Sequence, residues 1–201
     1  MADQAFKELV SERLVLRRFR PDDLATFVSY RSDPDVARYQ SWNAPYSPGD
    51  GKQLIKNMRQ QHPDTPGEWF QFAIALRATG ELIGDCGAKP SAYDPVHTQI
   101  GYTIGRAHQR RGYGIEAVRT LLSYLFDARG MHRVTANCDG RNTASMDLLG
   151  RVGMRKEGVM LASVWAKGEW TDDVLFAMLA TEWSSSRSRP LSGGDPRRGS
   201  A

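Results

Sequence analysis

In FQFAIAL and again in TQIGYTI, between Phe70 and Ile104, apolar residues recur at every second position, and from Ile115 to Phe126 they recur at every third or fourth. A period of two belongs to strands with one face on a core, and a period near 3.6 to an amphipathic helix. FQFAIAL (70–76), LIGDCGA (82–88) and TQIGYTI (98–104) are therefore expected to form a meander, with RATGE (77–81) as the first hairpin connection. The helix that follows begins near Tyr113, carries Val118, Leu122 and Leu125 on its apolar side, and stops at Gly130. Beyond it, HRVTANC (132–138) reads as a strand, TASMDLLGRV (143–152) as a short helix, and RKEGVMLASVW (155–165) and DVLFAMLA (173–180) as the last strands. Upstream, ERLVLRRF (12–19) is a first strand, and Pro21 with two acids opens a helix bearing Leu24, Phe27 and Val28. Turn residues between Ser32 and Asp50 then introduce a loop-and-helix region reaching about Gln61. The order predicts an α/β fold on a mixed sheet: a helical region, an antiparallel run, then a βαβαββ end.

A chain of 201 residues holds one full core, so residues 1–183 are expected as a single domain. Residues 184–201, SSSRSRPLSGGDPRRGSA, have little to bury and are expected as a disordered tail rich in Arg, Ser, Gly and Pro. The formal net charge is +4, but Arg187, Arg189, Arg197 and Arg198 against Asp195 place most of it in that tail. The remainder is close to neutral, which argues against nucleic acid as the main partner. No apolar run approaches the roughly 18–20 residues that span a bilayer, and MADQAFKELV lacks the basic start and apolar block of a secretory signal. A cytoplasmic location is expected. Cys86 and Cys138 fall on different strands without CxxC spacing, so they read as small hydrophobes, with no disulfide or metal site.

HQRRGYG (108–114) joins the third meander strand to the long helix. A helix start leaves backbone N–H groups without partners and carries partial positive charge. Gly112 and Gly114 let the backbone turn sharply and come close to a ligand, and Arg110 and Arg111 add full charges within reach of phosphate. Together these suit an anion such as pyrophosphate. The string is neither a P-loop, which needs GxxxxGK before Ser or Thr, nor a GxGxxG dinucleotide fingerprint, since residues 112–117 end in Ala. A tight turn with solvated arginines is the competing reading.

Gln109–Gly114 resembles the Q/R-x-x-G-x-G/A signature of the GNAT (GCN5-related N-acetyltransferase) superfamily. Segments 12–17, 21–23, 82–87, 112–118, 131–145, 152–158, 168–172 and 182–183 resemble, in order, its branch of RimJ/RimL-type ribosomal-protein N-acetyltransferases. The resemblance implies about seven mostly antiparallel strands splayed between the fourth and fifth, flanked by about four helices. It implies acetyl-CoA as cofactor, with main-chain groups at Thr103 and Ile104 pairing with the pantetheine arm. Gln109, Arg110, Arg111, Gly112, Tyr113, Gly114 and Ile115 would hold the pyrophosphate, and Asn142 would touch the pantetheine.

The reaction so implied is acetyl transfer to a primary amine. Helix 143–152 has no tyrosine to serve the leaving sulfur, so Ser145 is the candidate catalytic donor and cofactor contact. Asp85, Glu68 and Asp172 are the carboxylates considered as base. An α-amino group with a pKa near 8 is already partly neutral at about pH 7.5, whereas lysine is mostly charged, which favours a peptide N-terminus or a low-pKa small amine. Tyr39, Trp42 and Tyr46, with Trp69, Trp165 and Trp170, are the aromatics available to an acceptor pocket. An aminoglycoside or other antibiotic acceptor, and a ribosome- or RNA-binding protein using the basic tail, are the alternatives; monomer and homodimer both remain open.

Overall fold

The computed structural model describes residues 6–188. One eight-stranded sheet has the order β1-β2-β3-β4-β5-β6-β8-β7. Its strands are β1 (Glu8–Val10), β2 (Leu14–Arg17), β3 (Phe70–Leu76), β4 (Leu82–Pro90), β5 (His97–Ile104), β6 (Arg133–Asp139), β7 (Arg155–Ala166) and β8 (Glu169–Leu179). Between β2 and β3 come α1 (Leu24–Arg31), α2 (Pro34–Ala37) and α3 (Pro48–Gln60). The β5–β6 pair alone is parallel, as a pair joined by a helical crossover must be. That crossover is α4 (Tyr113–Ser123), prolonged by a π-helical turn over Tyr124–Ala128. Next come α5 (Thr143–Val152), between β6 and β7, and α6 (Ala180–Ser188), which ends the described chain.

The mixed-sheet α/β class holds, with differences in detail. Eight strands replace about seven because Glu8–Val10, a three-residue edge without a legible period, pairs with β2. Among the described residues six α-helices stand where about four were expected. The splay lies at the two expected segments, which become the fifth and sixth strands. β8 starts at Glu169 because a two-residue turn, Lys167 and Gly168 with φ of 53° and 87°, closes a long β7–β8 hairpin whose polar start hid its period. At the C-terminal end α6 runs to Ser188, and Trp183 is buried against Phe126 and donates to Asp127. Residues 189–201 of the expected tail lie outside the described residues.

Alternation along the strands puts Leu14, Leu16, Phe70, Phe72, Ile74, Ile100 and Val134 into a core sealed by Val118, Leu121 and Leu122 of α4, all fully or nearly fully buried. Helices α4 and α5 cover this face of the sheet. On the opposite face α1 docks by charge: Arg31 Nη2 reaches Asp85 Oδ1 at 3.0 Å, and Tyr30 donates to Asp85 Oδ2 at 2.5 Å. Both partners of this pair are buried.

Pairing between β5 and β6 runs from His97↔Arg133 to Ile100↔Ala136 and stops. Past that point β5 keeps its register with β4 as far as Ile104↔Gly84, and β6 keeps its register with β8 as far as Asp139↔Asp173. Each strand stays with its outer neighbour while the twist carries the two half-sheets apart. At Gly84 the strands press so close that a Cβ would lie 2.2 Å from the Thr103 carbonyl oxygen and 3.1 Å from the Ile104 Cα. Main-chain atoms cannot step aside as a flexible side chain can. Gly84→Ala is therefore expected to lower stability by about 1–3 kcal/mol, read as a fall in melting temperature of several degrees.

Candidate active site

The edge of β5 that faces the gap is set by its hydrogen bonds. Gly105 N–H donates to Ile83 O at 2.8 Å and His97 O accepts from Ser91 N–H at 2.8 Å, so odd-numbered residues turn their main chain to β4. Val96 O, which accepts from His132 N–H, marks the even-numbered side toward β6. Tyr102 and Ile104 therefore present main-chain groups to the gap. Thr103 was expected there, but its carbonyl is turned onto Gly84, and Tyr102 takes that place. The Ile104 carbonyl accepts from Gln109 Nε2 at 2.9 Å, which leaves its N–H for a partner in the gap.

Between β5 and α4 the chain makes a short turn over Arg106–His108 and then two left-handed residues, Arg110 (φ 59°) and Gly112 (φ 81°). Such alternation points successive N–H groups into one concavity. Tyr113, Gly114 and Ile115 add first-turn amides that have no carbonyl within the helix. Arg110 and Arg111 are exposed beside them. This fits a diphosphate on both geometry and charge. The two glycines act differently: Gly112 supplies the left-handed cap, whereas a Cβ on Gly114 would lie 2.7 Å from Leu148 Cδ1, so Gly114 lets α5 close on α4. Gln109 braces the turn through its amide and is not a free ligand.

Residues of the connection between β1 and β2 hold this turn in place. Glu116, in the first turn of α4, accepts from Ser11 Oγ (2.8 Å), Arg13 N (2.7 Å) and Arg13 Nε (2.7 Å). Arg13 also donates to Arg111 O at 3.1 Å and lies 4.7 Å over the Tyr113 ring. Partial burial pushes the Glu116 carboxyl up, but the Arg13 amide, the Ser11 hydroxyl and the Arg13 guanidinium together hold it below its usual range. Arg106 ties the turn to the α2 region through Asp35 at 2.6 Å and Asp33 at 3.9 Å.

Ser145 lies across the gap from β5, with its Oγ 2.8 Å from the Tyr102 hydroxyl, which also reaches Ser145 O at 3.2 Å. Burial raises the pKa of the Cys138 thiol on β6, with Ser145 acting in the opposite direction. Burial likewise raises Tyr102, against the Ser145 hydrogen bond, and keeps its phenol protonated. A tyrosine is thus present at the site, but it comes from β5 and not from the short helix. Asn142 caps α5: its Oδ1 accepts from Ser145 N at 3.1 Å, so its amide N–H groups are what remain for a ligand.

The carboxylates considered as base are engaged elsewhere or stand away. Asp85 has one oxygen on Tyr30 and the other on Arg31. Asp172 accepts from Ala162 N at 2.8 Å, where β7 bulges and Ala162 has φ 45°. Glu68 is exposed in the loop before β3. Asp173, not singled out in the sequence, accepts from Asn137 Nδ2 at 2.6 Å on the α1 side of the sheet.

On that side a cleft of about 690 Å³ lies between segment 34–44, Arg141 and the β7–β8 turn at Lys167–Glu169. Lys167 Nζ donates to Ala37 O (2.5 Å) and Trp42 O (2.9 Å), linking the hairpin to the loop. Of the aromatics expected here, Tyr39 lines the cleft. Trp42 and Tyr46 stack on the buried Arg31 guanidinium at 3.9 and 5.3 Å, Trp165 and Trp170 pack on each other at the hairpin tip, and Trp69 lies against Gly87 and Gly101.

A parted parallel pair beside an amide-rich turn is the architecture of acetyl transfer, and comparison with known proteins agrees. Residues 13–155 match the family described as the acetyltransferase (GNAT) domain. The chain is 30% identical over 176 residues to the uncharacterised N-acetyltransferase p20 of Bacillus licheniformis, covering 88% of this chain and 98% of that protein. It is 31% identical over 122 residues to the ribosomal protein uS5 alanine N-acetyltransferase of Escherichia coli, covering 60% and 63% respectively. A GNAT-family acetyltransferase structure from Bacillus anthracis superposes with a TM-score of 0.78 at 25% identity over 87% of this chain and 99% of that one. The chain belongs to the GNAT family and is an acetyl-transferring enzyme. Among the described residues no helix is long and apolar enough to cross a membrane.

The Glu116 anchor gives a signed pH dependence. Its folded-state pKa is depressed, so its contribution is present above the unfolded value of about 4.3 and is lost as pH falls through the lower folded value. Glu116→Gln is expected to cost roughly 1–2 kcal/mol at neutral pH, with the gap from wild type narrowing below about pH 4 in urea titrations.

Proposed function

We propose that the protein transfers the acetyl group of acetyl-CoA to the free amino group of a peptide N-terminus. The observation that carries this reading is the joining at one gap of three features: the inward main chain of Tyr102 and Ile104, the amide-rich Arg110–Ile115 turn, and the Ser145 hydroxyl. Acetyl-CoA, when bound, supplies the activated acetyl carbonyl. The Arg110–Ile115 turn receives its diphosphate through N–H groups and two guanidinium charges. The Tyr102 and Ile104 edge of β5 pairs with its amide-bearing arm as another strand would.

Ser145 is then the donor to the leaving sulfur. Tyr102, kept protonated by burial, is placed to donate to Ser145 Oγ, which fixes the serine rotamer and strengthens its hydrogen bond outward. The attacking amine must be neutral. With Asp85 and Asp172 already bonded, the chain favours an acceptor that loses its proton readily, and an α-amino group meets that condition without a strong base.

Acetyl-CoA at about 100 times its dissociation constant should stabilise the protein by about 2.7 kcal/mol in a thermal-shift titration, and Gly112→Val should abolish the shift while remaining folded. In thiol-release assays Ser145→Ala is expected to lower kcat about 100-fold with little change in KM for acetyl-CoA, and Tyr102→Phe about tenfold. An unchanged kcat in Ser145→Ala would remove the serine from the chemistry.

A further inference from the structure

The cleft beside segment 34–44 carries a charge pattern that narrows the acceptor. It opens where β6 ends at Asp139 and the chain passes through Arg141 to the Asn142 cap, one helical turn before Ser145. Its carboxylates are committed. Glu169 binds Arg141 Nη1 at 2.7 Å, and Asp139 grips the same guanidinium through Nε at 2.9 Å and Nη2 at 2.7 Å. Asp33 and Asp35, flanking Pro34, pair with Arg106. An ammonium entering the cleft meets no carboxylate left over from these pairs.

Two cations at the same cleft have no carboxylate partner among the described residues. Lys167 donates to the Ala37 and Trp42 carbonyls and keeps a third N–H. Arg38 is exposed, its guanidinium 5.9 Å from the Tyr39 ring, with Arg141 at 5.9 Å from that ring as well. Burial lowers the Lys167 pKa, and a carboxylate placed beside it would act in the opposite direction. A volume of about 690 Å³ suits a ligand of several residues.

We propose that the cleft selects a peptide N-terminus followed within a few residues by carboxylate side chains, which Arg38 and Lys167 receive. This rests on the N-terminal acceptor reading above and extends it to a substrate class. Polyamines and aminoglycosides, whose recognition needs uncommitted carboxylates, are disfavoured by the same arrangement.

The test is a set of free-amino hexapeptides identical except at their second and third residues, which are Glu, Gln or Lys, assayed for thiol release with the full chain at low ionic strength. The expected order of kcat/KM is Glu above Gln above Lys, spanning at least roughly tenfold and shrinking as salt is added. In Arg38→Glu the Glu-to-Lys ratio is expected to fall or invert. Because this is a ratio, partial loss of folded enzyme does not move it. Lys peptides used as well as Glu peptides, or a ratio unchanged by Arg38→Glu, would overturn the proposal while leaving N-terminal acetylation standing. Thiol release with spermidine or an aminoglycoside but with none of the peptides would overturn both readings. Release with none of these amines, from protein that binds acetyl-CoA, would sink the peptide reading and its extension together.

Discussion

The structure depends on a pairing that stops. Four residue pairs join β5 to β6, and beyond Ile100 and Ala136 each strand remains bound only to its outer neighbour. Unpaired strand edges are ordinarily a hazard inside a fold, since each exposed N–H or carbonyl asks for a partner. Here the two edges diverge, and on the β5 side the Ile104 carbonyl takes Gln109 Nε2 as its partner while its N–H faces the gap. Across the same divergence the Tyr102 hydroxyl of β5 reaches Ser145 of α5. A sheet that paired fully would have no site.

Keeping the gap open requires rigidity on both sides. Toward the first strands, Ser11, Arg13 and Glu116 lock the start of α4 to β2 and its edge, so the amide-rich turn belongs to the core's framework more than to a loop. On the opposite face, Asp85 is held by Tyr30 and Arg31 directly across β4 from Thr103. A buried charge pair of this kind adds little net stability over an apolar substitute, yet it is costly to break one partner. Its role here is positional: it fixes α1 against the strand whose neighbour lines the gap, and the Arg31 guanidinium supports Trp42 and Tyr46 beneath the cleft loop.

Much of this was legible in the chain. Strands 70–76 and 98–104 and the helix from Tyr113 follow from apolar period, and the turn at 108–114 from its glycines and arginines, because both signals are local. What escaped was non-local or short. A three-residue β1 has no period to detect, and α6 was masked by a serine-rich composition although Trp183 anchors it. Register parity decides whether Thr103 or Tyr102 faces the gap, and a one-residue uncertainty in strand phase exchanges them. The tyrosine beside Ser145 is 43 residues away in sequence, and the Arg13–Glu116 brace spans 103. No spacing rule reaches so far. The resemblance to GNAT proteins points to the segments, and the fold decides which atoms of each are free.

The link from Lys167 to the loop carbonyls of Ala37 and Trp42 has a mechanical meaning. It is a tether of one side chain between two parts of the fold that otherwise meet around a cleft. Two hydrogen bonds at a partly solvated position contribute a few kcal/mol at most, so the tether pins the turn against the loop without the rigidity of a packed core. The length of one lysine side chain thus sets how far the hairpin tip can stand from the opposite wall of the cleft.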